Sequence, residues 1–213
     1  SCGATRVSEN YLVTAAHCVN NLRVVEHERP YVALEITYGA SYLDDPERGR
    51  AFANKVYCHP AYDTIAGNLY NDVAVIDISE LENLKEKVDI AKIVDINSLG
   101  TPPDDLTVTG WGRFSNGPEL SNRLKRGTMK RKWHGPGFIR VAPKELDDRT
   151  ASICEGDSGG PMYVGKSLAT RKLVGLVSTE LPRIGASGCS NFHDALFMNV
   201  FSYKSWLENL PKP

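Results

Sequence analysis

Cys154-Glu155-Gly156-Asp157-Ser158-Gly159-Gly160-Pro161 decides how the rest of the chain is read. A serine set among three glycines in an otherwise ordinary composition needs a physical reason. Glycine costs backbone entropy and is used where a side chain would clash or the dihedrals are unusual. Gly156 and the Gly159-Gly160 pair would let a substrate carbonyl approach the main chain, and would leave the Ser158 hydroxyl exposed on a sharp turn. The N–H groups of Gly156 and Ser158 could then point at one spot, as a developing oxyanion requires. The competing reading is a Gly-rich surface turn closed by Pro161.

Working outward, the chain has 213 residues and a formal net charge of -1, enough for one large core or two packed halves. The balance of charge gives no global basicity for nucleic acid. No run of apolar residues is long enough to span a membrane as a helix. The five cysteines suit two bridges with one left over. Short runs bounded by Gly, Pro, Asn and Asp predict an all-β fold. No Asn-x-Ser/Thr sequon is present, and no ligand cluster suggests a metal or other cofactor.

Tyr11 to Ala16 reads as a strand running into His17-Cys18. A strand at Ala4 to Val7 could bring Cys2 beside Cys18, and a bridge there would fix His17 as a positioned base. Val24-Val25 and Val32 to Tyr38 read as strands, the latter alternating with period two. Ser41 to Arg50 reads as an exposed loop and Phe52 to Tyr57 as a strand. Asp72 opens the most apolar strand of the region, Asn71 to Ile78. A carboxylate there needs partners, and the His17 imidazole is the natural one, against the alternative of an ordinary turn aspartate. Glu80 to Val88 reads as a loop or short helical turn, and Thr101 to Asp105 as a link between halves.

Leu106 to Trp111 alternates again. Arg123 to Lys132 then carries six basic residues and no acid. That run reads as a solvated face, with an anionic partner and easy proteolytic nicking as the other readings. Lys172 to Ser178 reads as a central strand, and Cys189 could bridge back to Cys154 across the following loop. Ala195 to Val200 is the last strand. Tyr203, Trp206, Leu207 and Leu210 fall on one side of a terminal helix at about 202–210.

His17, Asp72 and Ser158 stand in the chain order of the chymotrypsin-like serine peptidases, which cleave peptide bonds by nucleophilic catalysis through a Ser-His-Asp triad. Thr14-Ala15-Ala16-His17-Cys18, Asn71-Asp72-Val73-Ala74 and Gly156 to Pro161 resemble that family's three motifs, and Trp111-Gly112 resembles the start of its second half. The resemblance covers essentially the whole chain. It implies two six-stranded antiparallel β-barrels, 1–103 with His17 and Asp72 and 104–213 with Ser158. The first strand and activation end of the N-terminal barrel are then missing from this sequence.

By the same resemblance Ser158 attacks, His17 moves the proton, Asp72 holds the imidazole, and Gly156 and Ser158 N–H groups form the oxyanion hole. Ser178 falls where the family hydrogen-bonds its aspartate. The resemblance also implies a protein or peptide substrate, protein inhibitors as partners, a monomer, and secretion in zymogen form. Asp157 is the expected partner of an activation ammonium, so full activity is expected to need a further N-terminal segment. Ser152 stands at the pocket floor without charge, Ala195 at the pocket wall, and Glu180 beside its mouth. They imply cleavage after large uncharged residues, with small apolar or basic residues as alternatives. An inactive homologue used for binding is the remaining reading. Cys58 has no mate in this scheme.

Overall fold

The computed structural model describes residues 1–20, 33–62, 70–99, 105–113, 119–144, 153–165, 167–181, 189 and 194–211. Its first half holds six strands: β1 (Thr5–Arg6), β2 (Tyr11–Thr14), β3 (Leu34–Tyr38), β4 (Gly49–Ala53), β5 (Val56–Cys58) and β6 (Ala74–Asp77). They form an antiparallel sheet in the order β1-β2-β6-β5 and a separate β3-β4 pair. Among the described residues these six strands do not close into one barrel. The strand expected at Val24-Val25 and the residue Val32 lie outside the described residues. The continuous strand expected over Phe52 to Tyr57 is broken at Asn54-Lys55, where β4 hands over to β5. The expected loop over Ser41 to Arg50 likewise ends early, because β4 begins at Gly49.

The second half does close. β7 (Asp105–Gly110), β8 (Lys125–His134), β9 (Phe138–Pro143), β10 (Pro161–Val164), β11 (Lys172–Leu181) and β12 (Asp194–Asn199) form a six-stranded antiparallel barrel. Leu106, Met129, Ile139, Val141, Val174 and Phe197 fill its interior. Alternation puts Gly127 and Met129 of β8 inward and Arg126 and Lys130 outward, while Arg131 shares the inward parity and is half-buried, its Nη1 2.9 Å from His134 Nδ1. From Lys125 on, the basic run lies in this ten-residue strand, which pairs with β7 and β9.

β2 and β6 are buried on both faces. Leu12 and Ile76 pack outward on Ile78 and Leu84, with Leu34 and Ile36 of β3 against them. Tyr11, Val13 and Val75 pack the other way, on Leu176, Met198 and Tyr203 of the second half. Burial of each such side chain contributes roughly 1.5–3 kcal/mol, so this shared layer holds the halves together. Residues 91–94 stitch it further: the Ala91 N–H donates to Arg6 O, and the Leu173 N–H to Lys92 O. Helices are short: α1 (Ala16–Val19), α2 (Glu82–Lys87) and α3 (Lys204–Glu208). A 3₁₀ turn, Val200–Tyr203, leads into α3, and Trp206 and Leu207 join the shared layer as their spacing predicts.

Candidate functional site

The site is built where the shared layer reaches solvent. β2 ends at Thr14, extended Ala15 follows, and the single turn α1 presents His17. The bridge Cys2–Cys18 ties this turn to the N-terminal segment, with Cα atoms 6.2 Å apart. Asn71 takes a left-handed conformation, φ 51°, which asparagine tolerates better than most residues. Its Nδ2 donates to Ala61 O at 2.8 Å, pinning the turn that enters β6. Asp72 is thereby thrown inward and is 0% exposed.

A buried carboxylate must be satisfied, and Asp72 is. The His17 backbone N–H donates to its Oδ1 at 2.9 Å. His17 Nδ1 lies 2.8 Å from Oδ2, and Ser178 Oγ donates to the same Oδ2 at 2.6 Å. With Nδ1 held in this way, Nε2 is the nitrogen left to face a reactant, and the ring is 29% exposed. Ser178 reaches Asp72 because β11 changes register between Val177 and Thr179 as it pairs with β12. The extra residue of such a bulge is freed from the ladder and its side chain is re-aimed. Tyr203 lies beneath the pair. Burial first, and the Asp72 charge second, push its phenol up to about 12.

The Ser158 turn docks on the same strand end from the other half. The Gly3 N–H donates to Ser158 O at 2.7 Å, and the Gly159 N–H to Val177 O at 2.8 Å. Gly159 has φ +73°, and a Cβ there would sit 2.5 Å from Gly3 O and 2.9 Å from Ala15 N. Only glycine lets the serine turn approach the histidine segment this closely. Gly156 is also left-handed, φ +99°, and a Cβ would meet Leu120 Cδ2 at 2.6 Å. Among the described residues the N–H groups of Gly156 and Ser158 donate to no protein acceptor.

Asp157, between them, turns away from Ser158. Its Oδ1 accepts the Gly112 N–H at 2.8 Å and its Oδ2 the Cys154 N–H at 3.0 Å. Burial raises its carboxyl above the usual aspartate range, the two N–H groups oppose this, and the Glu180 charge adds to the rise.

A family model described as Trypsin matches residues 1–207. The chain belongs to the trypsin family. It is 27% identical over 219 residues to chymotrypsin-C of Rattus norvegicus, covering 97% of this chain and 76% of that protein. To U21-ctenitoxin-Pn1a of Phoneutria nigriventer it is 25% identical over 227 residues, covering 99% and 88%. To chymotrypsin of Phaedon cochleariae it is 27% identical over 219 residues, covering 98% and 71%. A mostly-strand chain with one closed six-stranded barrel and a short terminal helix is the architecture such relatives imply.

For this trypsin-family chain the pocket residues are only partly in view. Ser152 lies outside the described residues. Ala195 is buried on β12 directly opposite Glu180 of β11, and Glu180 is half-buried. The bridge Cys154–Cys189 closes this side, with Cα atoms 5.3 Å apart. Cys58 is a free, half-buried thiol. Among the described residues the nearest approach to a metal-ligand cluster is Cys2, His17 and Cys18, whose two sulfurs are already joined as a disulfide. No helix among them is long and apolar enough to cross a membrane.

Sequence reasoning missed Gly3, Asn71 and Tyr203. Gly3 follows a bridged cysteine, which was the available signal for its contact with the serine turn. Nothing in the local sequence signals that Tyr203 lies beside Asp72, because α3 folds back over the chain from the far terminus.

Proposed function

We propose that this chain is a secreted serine endopeptidase. Ser158 attacks the scissile carbonyl, and His17 Nε2 takes its proton and passes it to the leaving amine. Asp72 holds Nδ1–H and balances the imidazolium that forms, and the Gly156 and Ser158 N–H groups receive the oxyanion. The observation that carries this reading is the fully bonded His17–Asp72–Ser178 set beside a serine turn whose two N–H donors engage no acceptor among the described residues. The two bridges support an oxidising, extracellular site of action on protein substrates.

Asp157 is the group that an activation ammonium would pair with. Until then its charge is held by two backbone N–H groups beside a second acid. Pairing would lower its carboxyl pKa and fix the Gly156 turn. A homologue that binds without cleaving is the alternative this same observation favours, and turnover of a peptide ester separates the two.

Cleavage follows large uncharged residues. Ser152 brings no charge to a buried basic side chain, and Ala195, at the expected pocket wall, is small enough to take little depth from a pocket for an aromatic or leucine side chain. The test is a fluorogenic library varied only at the residue before the scissile bond. Phe, Tyr or Leu should lead by kcat/KM. A preference for Arg over Phe of about tenfold overturns this part and makes Glu180 the selecting group.

A further inference from the structure

The catalytic reading makes no use of the basic run. The chain as a whole carries -1, so six cations without an acid in Arg123 to Lys132 do not follow from overall composition. β8 sorts them by face. Gly127 and Met129 point into the barrel, while Arg126 and Lys130 lie outside and exposed. The register against β9 then slips between Arg131 and Trp133, which makes Lys132 an extra exposed residue. After the slip Trp133 pairs with Arg140 on the outer face. Its indole is 51% exposed and packs on Phe138 at 5.1 Å.

Two strands away, across Thr107 of β7 from Thr128, Tyr163 of β10 is buried and carries the Arg171 guanidinium 4.6 Å above its ring. Burial raises this phenol's pKa, and the Arg171 and Arg126 charges oppose the rise. Two acids border the face, and both are engaged. Asp105 holds Lys144 at 2.6 Å and Asp194 holds Arg140 at 2.7 Å. Among the described residues Arg126, Lys130, Lys132 and Arg171 make no ion pair.

At about 3.4 Å per residue, Arg126 to Lys130 spans roughly 14 Å, and the slip then bends the strand on toward Lys132 and Trp133. Cations strung along a strand suit a linear polyanion rather than a small anion, which needs convergent donors. The exposed indole at one end offers a flat apolar surface to a sugar ring. The two bridges place the chain where thiols are oxidised, and linear polyanions there are sulfated polysaccharides. We propose that the outer face of β8 binds a sulfated polysaccharide, with Arg126, Lys130 and Lys132 facing its sulfates and Trp133 against a sugar ring.

The inference is independent of Ser158 chemistry, so the test uses the Ser158→Ala chain, which also prevents self-cleavage. Binding to immobilised heparin is measured against salt. Arg126→Ala, Lys130→Ala and Lys132→Ala combined should weaken binding about tenfold or more near 0.15 M salt and flatten the salt slope. Lys55→Ala, Lys87→Ala and Lys92→Ala combined remove the same charge from other exposed positions and should leave binding near its starting value. Trp133→Ala should weaken it without changing the slope. All variants should keep the parent melting curve, since every altered side chain is exposed. The proposal is overturned by absent binding, by an equal loss in the control triple, or by a single-stranded DNA that binds as tightly and loses as much.

Discussion

Two aspartates flank the reactive groups, and the protein treats them differently. Asp72 is the more deeply buried, yet it takes three hydrogen bonds, one of them with a ring that can become cationic. Asp157 takes two backbone N–H bonds, has a second acid for a neighbour, and resists ionisation. Burial alone therefore does not set a carboxylate's role; the partners do. Asp72 is finished, a fixed support for an imidazolium. Asp157 has no cationic partner among the described residues, and on the proposed function a cation reaching it would couple it to the Gly156 and Ser158 N–H groups on either side.

The contrast can be broken from the Asp72 side first. Asp72→Asn keeps the shape but presents the wrong tautomer to the ring, and kcat should fall by about 10⁴-fold with KM little changed. A loss confined to KM would mean that Asp72 serves binding only. On the Asp157 side, Gly156→Ala puts a methyl where Leu120 already sits and strains a left-handed residue. It should cost about 10² to 10³-fold in kcat, the scale of one lost oxyanion donor. Unchanged kcat would remove Gly156 from the oxyanion site.

Ser178→Ala leaves two of the three Asp72 hydrogen bonds. It should lower kcat by roughly tenfold, in line with one bond to a charged group. An effect as large as that of Asp72→Asn would show that Ser178 does more than steady the carboxylate.

The smallest effect concerns pH and Asp157. Its folded-state pKa is raised, so the native state holds the proton more tightly than the unfolded chain. Its contribution to stability is present below the ordinary aspartate pKa and is lost as pH rises through the raised value. Denaturant titrations from the ordinary aspartate range upward should show the parent losing stability relative to Asp157→Asn. A parent that gains stability over that interval contradicts the assignment, whereas a bound ammonium should reverse the slope.

Much of this was legible in the residues themselves. A single acid opening an apolar strand predicts a buried, partnered Asp72, and the two cysteine pairs that the strands and loop made possible are both formed. Asn71 stood in the quoted Asn71-Asp72-Val73-Ala74 motif, but its bond to Ala61 O, ten residues earlier in the chain, could not be read from that motif. The strand character of Arg123 to Lys132 was hidden because its inward face is only a glycine and a methionine, so hydrophobic alternation barely registers. The repulsion between Glu180 and Asp157 arises because β11 returns behind the serine turn, a closeness invisible to spacing.

The most direct test of the account is covalent labelling with a serine-directed phosphonate, read by intact mass and by peptide mapping. The folded protein should take one adduct, on Ser158, at a rate sharply reduced by His17→Ala, and Ser158→Ala should take none. Labelling that persists in Ser158→Ala, or that falls on another serine, would contradict the claim that Ser158 is the nucleophile.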